Sequence, residues 1–111
     1  MKMKAMLSQP MNGKTEEEIV ATRERAKAAL ESKGYEIVNT LFTDEWCSAA
    51  KCKERGVVNI PLMFLARSLT NMSLCQAAYF CKGWKNARGC RIEHAVAEAY
   101  GLTILYEEGD E

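Results

Sequence analysis

The sequence predicts one α/β domain in which a small parallel sheet is covered by helices on both faces. Three observations lead to this prediction: strand-like and helix-like segments alternate along the chain, turn residues separate them, and the 111 residues contain no internal repeat. Alternation of this kind favours right-handed crossovers between parallel strands. We therefore assign residues 1–106 to a single domain and residues 107–111 to an acidic C-terminal tail.

The first strand and the first helix have the clearest local signals. Lys4–Ser8 is a short apolar segment, and a dense turn signal follows it over residues 9–13. Thr15 and Glu18 have the spacing of a capping box, in which each residue caps the backbone of the other. Helical spacing of apolar residues comes next, so we predict a helix over residues 15–33 that the following glycine ends.

Three further strands and two further helices are expected. The second helix carries an apolar stripe and begins next to Pro61, because proline is favoured in the first helical turn. In chain order, the predicted elements are a strand over residues 35–41, a long polar loop over 43–59, a helix over 60–73, a strand over 77–80, a helix around Ile92–Ala99 that Gly101 ends, and a strand over 102–106.

The predicted topology selects the loops that could hold a ligand. Ligands of open parallel sheets bind at the carboxyl ends of the strands, near the point where the strand order reverses. That rule selects the loops over residues 8–14, 41–46 and 82–89. We predict that the first strand is central and that the first and third of these loops are adjacent.

Charge and cysteine content exclude several classes of function. Fifteen basic and fifteen acidic residues balance, so no overall field attracts DNA, RNA or an anionic membrane. No apolar run approaches the roughly 20 residues that span a bilayer, and the N-terminal apolar segment is too short for a signal peptide. The five cysteines form no Cys-x-x-Cys pair and there is one histidine. We therefore expect reduced thiols, a cytoplasmic location, no metal site and no cofactor.

The loop after the first strand is a candidate anion site. It places polar residues just before a helix N-terminus, where free N–H groups and the helix dipole favour a phosphate. The pattern is neither a Walker loop nor a dinucleotide fingerprint, and a plain Asn-Gly turn before a capped helix is the alternative interpretation. The residues of this loop that we assign to the ligand are Ser8, Gln9, Met11, Asn12, Gly13 and Lys14.

Glu93 is the candidate catalytic residue. It lies in the first turns of the third helix, directly after a loop with two glycines, and the helix dipole together with Arg88 and Arg91 is expected to keep it ionised. An ionised glutamate can attack or stabilise an anomeric carbon with oxocarbenium character. The alternative is a solvated glutamate paired with an arginine. His94 lies about 100° further round the helix and is expected to pair with Glu98 instead.

Two tryptophans occur in loops at the same predicted edge. A loop tryptophan can stack on a nucleobase, although it can equally close over the core. The predicted ligand-binding residues outside the first loop are Asp44, Trp46, Gly83, Trp84, Arg88, Gly89 and Glu93. The long loop around Trp46 would gain from a partner that closes the pocket, so we also expect a homodimer or a larger homo-oligomer.

Two segments of the chain resemble a known family. Residues 7–13 (Leu-Ser-Gln-Pro-Met-Asn-Gly) and 83–93 (Gly-Trp-Lys-Asn-Ala-Arg-Gly-Cys-Arg-Ile-Glu) are similar to the nucleoside 2-deoxyribosyltransferase-like group of small bacterial and phage proteins. Many of these proteins carry a domain of unknown function of this type. The resemblance extends from the first strand to Tyr106. It implies a flavodoxin-like or Rossmann-like three-layer sandwich, dimeric or larger assemblies, and a nucleoside or nucleotide as the ligand.

The resemblance also bears on catalysis. In catalytic members a glutamate at the position of Glu93 works on an N-glycosidic bond. Those members tend to carry aspartates on and after the second helix, where this chain has Ser68 and Gln76. Neither side chain is an acid or base near neutral pH, and the loss of one such partner costs a glycosyl-transfer enzyme about 10²–10⁴-fold.

Three hypotheses of function follow, in order of preference. The first is a protein that binds a nucleotide or an ADP-ribose-like molecule without turnover, to sense or sequester it. The second is an N-glycosidic hydrolase or 2-deoxyribosyltransferase with Glu93 as nucleophile, in which Asp44 or Glu45 supplies the missing carboxylate. The third is a small interaction module with a vestigial pocket.

Overall fold

The computed structural model describes residues 2–10, 13–38 and 54–107 of the chain. Its elements lie close to the predicted positions, and residues 39–41 of the predicted second strand fall outside the described residues. In chain order, the elements are β1 (Met3–Ser8), α1 (Glu16–Ser32), β2 (Tyr35–Ile37), α2 (Ile60–Met72), β3 (Ala77–Phe80), a 3-10 helix (Trp84–Asn86), α3 (Arg88–Ala99) and β4 (Thr103–Tyr106).

The four strands form one parallel sheet with the order β2-β1-β3-β4. Ser8 pairs with Phe80 in the register between β1 and β3, and Phe80 pairs with Tyr106 in the register between β3 and β4. The carboxyl ends of these three strands therefore meet at one edge of the sheet. The prediction of a parallel α/β domain with the first strand inside the sheet is confirmed, and the fold is flavodoxin-like or Rossmann-like.

The side chains of β1 alternate between two apolar layers. Ala5 and Leu7 pack on α1, where Leu30 is fully buried. Met6 points to the opposite face and packs with residues of α2 and α3. Burial of a leucine-sized side chain contributes about 1.5–3 kcal/mol to folding. The sheet is thus covered on both faces, which gives the three predicted layers.

The N-termini of α1 and α3 differ in their capping. The Thr15 hydroxyl accepts a hydrogen bond from the Glu18 N–H at 3.1 Å, and the Glu18 carboxylate accepts one from the Thr15 N–H at 3.4 Å. The predicted capping box of α1 is therefore confirmed. By contrast, α3 begins after Ala87 with no side-chain cap and with no acidic residue in its first turn.

Glu107 is held in place although the sequence assigned it to the tail. Its N–H donates to the Phe80 carbonyl at 2.9 Å, which continues the contact between β3 and β4. Its carboxylate accepts a hydrogen bond from the Lys82 N–H at 2.9 Å and lies 3.9 Å from Arg25 of α1. Residues 108–111 of the predicted tail lie outside the described residues. None of the described helices has the length and apolar character that a membrane crossing requires.

Candidate functional site

A buried hydrogen bond joins the end of β1 to α3. The Ser8 hydroxyl donates to Oε1 of Glu93 at 2.6 Å. Ser8 is 2% exposed and Glu93 is 7% exposed, and they are the buried polar side chains of the described residues. The two residues were predicted to lie at the carboxyl edge of the sheet, and they are in direct contact there.

A second hydroxyl and a thiol complete the polar cluster. The Ser68 hydroxyl of α2 also hydrogen-bonds the Glu93 carboxylate, and the Cys90 thiol hydrogen-bonds Ser8. Carboxylates are stabilised in their charged form by hydroxyl donors and destabilised by loss of water. Here loss of water is the larger effect, so burial raises the pKa of Glu93 and the two serines only moderate the rise.

The expected electrostatics of Glu93 were therefore wrong in direction. We expected the helix dipole, Arg88 and Arg91 to keep Glu93 ionised. Both arginines are exposed on the outer side of α3, whereas Glu93 faces inward. The side chain is also not the solvated glutamate of the alternative interpretation. It is a buried carboxyl group that connects β1, α2 and α3.

The loops after β1 and β3 lie against each other at this edge. The Cys81 N–H donates to the Ser8 carbonyl at 2.9 Å. Gly83 has a φ of +87°, and a Cβ at this position would lie 3.5 Å from Cγ of Pro10. A positive φ is a conformation that glycine adopts without steric cost. The predicted adjacency of the two loops is confirmed, and Gly83 forms the turn that brings them together.

Trp84 belongs to an aromatic cluster and not to an open loop. Its ring stacks on the His94 ring with centroids 4.1 Å apart and planes 12° apart, and Phe80 meets the Trp84 ring at 5.5 Å. Nε2 of His94 lies 2.7 Å from the Tyr106 hydroxyl. The expected pairing of His94 with Glu98 is confirmed at 3.3 Å. With 8% of its surface exposed, Trp84 closes over the core, and one face of its ring is covered by His94.

The other predicted site residues are less closely grouped. Gln9 is half-buried and its amide donates to the Ile19 carbonyl at 3.0 Å. Gly13 and Lys14 are exposed before α1. Gly89 is exposed in the first turn of α3, where no atom lies within 4 Å of an ideal Cβ. The predicted site residues that lie outside the described residues are Met11, Asn12, Asp44 and Trp46.

The two positions that the resemblance associates with carboxylates lie at opposite edges of the sheet. Ser68 contacts Glu93 and so belongs to the site. Gln76 precedes β3, and its side-chain oxygen accepts a hydrogen bond from the Lys4 N–H at 2.6 Å. That contact is at the amino edge, so Gln76 is remote from Glu93.

Sequence reasoning missed Ser68 and Cys90 as members of the polar cluster. A signal for Ser68 was present, because it lies three residues after Leu65 and four before Met72 on the edge of an apolar stripe. A hydroxyl at such a position needs a buried partner. Cys90 gave no comparable signal, since a buried cysteine usually behaves as a small apolar residue.

The thiols of the described residues are protonated and do not form a metal site. Burial raises the pKa of Cys90 to about 11 and that of Cys81 to about 12, and Cys75 rises to about 11 for the same reason. All three are free cysteines. Over the described part of the chain, no group of three histidine, cysteine or acidic side chains could hold a metal ion.

Comparison with known proteins shows the family of the chain and nothing finer. Neither curated proteins nor solved structures gave a match to the chain. One family model matches residues 3–106, which includes every described strand and helix as well as the Ser8–Glu93 contact. The chain therefore belongs to the family described as domain of unknown function DUF4406.

Proposed function

We propose that this protein binds a nucleoside or nucleotide at the carboxyl edge of its sheet, and that binding serves to sense or sequester the ligand. The observation that carries the proposal is the buried hydrogen bond between Ser8 and Glu93 at that edge. Open parallel sheets bind their ligands there. The resemblance to the nucleoside 2-deoxyribosyltransferase-like group supports the choice of a ribose-containing ligand.

Two unsatisfied polar atoms, in residues that follow the ends of β1 and β3, support a ligand with hydrogen-bonding groups. The indole N–H of Trp84 and the side-chain oxygen of Gln9 are buried and have no hydrogen-bond partner among the described residues. A buried polar group without a partner costs about 1–3 kcal/mol. One is a donor and the other an acceptor, as the edge of a nucleobase or a ribose hydroxyl would require.

The start of α3 suits a phosphate better than the start of α1. Glu16 and Glu17 put negative charge in the first turn of α1, and Thr15 already caps it. The first turn of α3 has neither feature and contains Arg88 and Gly89. Free N–H groups beside a cation favour an anion. We therefore propose that Arg88 contributes more to phosphate binding than Lys14.

Two features favour binding over turnover. Burial raises the pKa of Glu93, which lowers the fraction of the nucleophilic carboxylate at a given pH. Its neighbour on α2 is Ser68 and not a second carboxylate, so α2 supplies no acid or base at that position. A buried carboxyl group between two hydroxyls remains able to accept hydrogen bonds from a ribose.

The second candidate is an N-glycosidic hydrolase or 2-deoxyribosyltransferase. The observation in its favour is that two hydroxyls hold the Glu93 carboxylate in one orientation, as a positioned nucleophile requires. This candidate needs an acid for the leaving base. Asp44 or Glu45 would have to supply it, and both lie outside the described residues.

The first test is a thermal-shift screen with nucleosides, nucleoside monophosphates and ADP-ribose. A ligand present at 100 times its Kd stabilises the folded state by about 2.7 kcal/mol. We expect at least one compound to raise the Tm and to be recovered intact by chromatography. Released free base would favour the enzyme, and no shift with any compound would contradict both candidates.

The second test is calorimetry on variants with one nucleotide and its nucleoside. For a binding protein, Glu93→Gln should weaken both ligands by about 1–3 kcal/mol, because an amide nitrogen replaces one of the two carboxyl oxygens that a ribose hydroxyl could donate to. For an enzyme, affinity should stay within about tenfold while turnover disappears. Arg88→Ala should weaken the nucleotide more than the nucleoside, with Lys27→Ala on α1 as the matched control. Unchanged affinity in all variants would show that the site lies elsewhere.

A further inference from the structure

The outward face of α3 carries one arginine and three apolar residues. At 100° per residue, Arg88, Ile92, Ala95 and Ala99 fall within a sector of about 60°. The sector lies opposite the buried residues of the helix. Ile92 is 39% exposed and Tyr100, just beyond the helix, is 80% exposed. Beyond Arg88 the sector has no charged or polar side chain, and the exposed Ile92 together with the neighbouring Tyr100 indicates a partner.

The same residues line a shallow groove. Its volume is about 450 Å³, and it runs along the helix. Two alanines allow another helix to approach the backbone closely, which larger side chains would prevent. The lining residues are Arg88, Arg91, Ile92, Ala95, Val96, Ala99 and Tyr100.

The charged residues beside the sector can pair with the same residues of a second copy of the chain. Arg91 and Glu98 lie on one flank of α3, within about 20° of each other on the wheel. The midpoint between them falls between His94 and Ala95. If a two-fold axis passes through that midpoint, the second copy of α3 runs antiparallel to the first. Arg91 of each copy then faces Glu98 of the other, which gives two equivalent ion pairs. The Glu98 side chain is 65% exposed and contacts His94 through Oε1, which leaves Oε2 for a second cation.

The two ends of the helix fit the same axis. The midpoint between Gly89 and Tyr100 along the chain is the same as that between Arg91 and Glu98. The Tyr100 ring would therefore lie over the partner's Gly89, where no atom lies close to the position that a Cβ would take. Arg88 would lie beside the C-terminal end of the partner's α3. That end has no basic residue in its last turn, and cations are favoured at helix C-termini.

We propose that α3 is the contact face of a symmetric homodimer in which the two copies of the helix pack antiparallel. This inference does not depend on what the protein binds. It places Tyr100 of each copy next to Arg88 and Gly89 of the other, so the proposed phosphate position lies at the border of the dimer. Another groove among the described residues is lined by Glu16, Glu17, Val20 and Ala21 on α1.

The α1 groove is the weaker choice for a closed assembly. It carries two acidic residues that would repel each other in a symmetric pair. Pairing of α1 with α3 would bring the acidic residues of the α1 groove next to the arginines of the α3 groove. However, the two helices cover opposite faces of the sheet, and such a head-to-tail contact generates open chains or rings instead of a two-fold dimer.

Light scattering coupled to size-exclusion chromatography tests the proposal on the intact chain. The wild type should elute with twice the chain mass of 12.5 kDa at micromolar concentration. Ala95→Arg puts a charge at the axis of the interface and should give the monomer mass. Val20→Arg on α1 is the matched control and should leave the dimer intact. Far-ultraviolet circular dichroism checks that each variant is folded.

A charge exchange makes the test specific for the antiparallel register. In Arg91→Glu the new carboxylate of each copy faces Glu98 of the other, so like charges meet at two symmetric places. This should raise the dimer dissociation constant at least about tenfold. The double variant Arg91→Glu/Glu98→Arg restores opposite charges and should recover the dimer. The proposal is overturned by a monomeric wild type, by a dimer that survives Ala95→Arg or is lost in Val20→Arg, or by a double variant as weak as Arg91→Glu.

Discussion

The pH dependence of stability provides a direct test of the buried state of Glu93. Burial raises the pKa of this carboxyl in the folded protein above its value in the unfolded chain. Between the two pKa values the folded state binds one proton more than the unfolded state. The contribution of Glu93 to stability is therefore fully present below the unfolded pKa and is lost as the pH rises through the folded pKa.

Replacement by glutamine isolates this effect. In Glu93→Gln the side chain keeps its shape and cannot ionise. The difference in free energy of unfolding, variant minus wild type, should therefore grow with pH from the ordinary pKa of about 4.5 upward. One proton corresponds to a slope of up to about 1.4 kcal/mol per pH unit inside the window, and to zero slope above it.

The assay is urea unfolding followed by circular dichroism at half-unit steps from pH 4.5 to 8.5. Glu31→Gln, an exposed glutamate on α1, is the matched control and should show no such growth. Other carboxylates titrate equally in all three proteins and cancel in the differences. A difference that is flat over the whole range, or that shrinks as the pH rises, would refute the argument that burial dominates at Glu93.

Three further predictions concern single features of the fold. Thr15→Ala removes one half of the capping box and should lower the free energy of unfolding by about 0.5–2 kcal/mol in urea titrations, whereas Thr15→Ser should retain most of it. Gly83→Ala forces a side chain into a left-handed conformation and should lower the free energy of unfolding by about 1–2 kcal/mol. Gly101→Ala, at a φ of +75° with open space around the position of the Cβ, should lower it by a similar amount, and a loss of the fold in either variant would contradict this. Cys81 and Cys90 should resist iodoacetamide at pH 8 in the folded protein and react in urea, as mass spectrometry of the peptides would show, because their pKa values of about 12 and about 11 leave little thiolate.

Much of the fold was predictable because its signals are local. The Thr15–Glu18 spacing predicts a helix start from four adjacent residues, and the structure forms that capping box. Alternation of strands and helices restricts the topology, since right-handed crossovers leave few arrangements. The same rules placed Ser8 and Glu93 at one edge, because Ser8 ends β1 and Glu93 lies in the first turns of the helix that follows the neighbouring strand β3.

The electrostatic state of the site was not predictable in the same way. The sequence shows Arg88 and Arg91 close to Glu93, but it does not show that they point outward while Glu93 points inward. Desolvation depends on what covers a group, and here the carboxyl is enclosed between α3, β1 and α2, where Ser8 and Ser68 contact it. These contacts join distant parts of the chain, and a local pattern carries no information about them. Closure of Trp84 over the core was one of two interpretations of the sequence, but its stacking on His94 was not predicted, for the same reason.

The position of β1 inside the sheet has a consequence for the order of folding. Its hydrogen bonds to β3 join segments on opposite sides of α1, β2 and α2, and the Ser8–Glu93 contact spans 85 residues of the chain. A growing polypeptide therefore carries an apolar strand with one unpaired edge until β3 has been synthesised. Contacts at such separation form slowly, and unpaired strands are prone to aggregation. Pairing of β1 with β3 is thus the expected slow step, and the polar cluster at the end of β1 forms only once that step is complete.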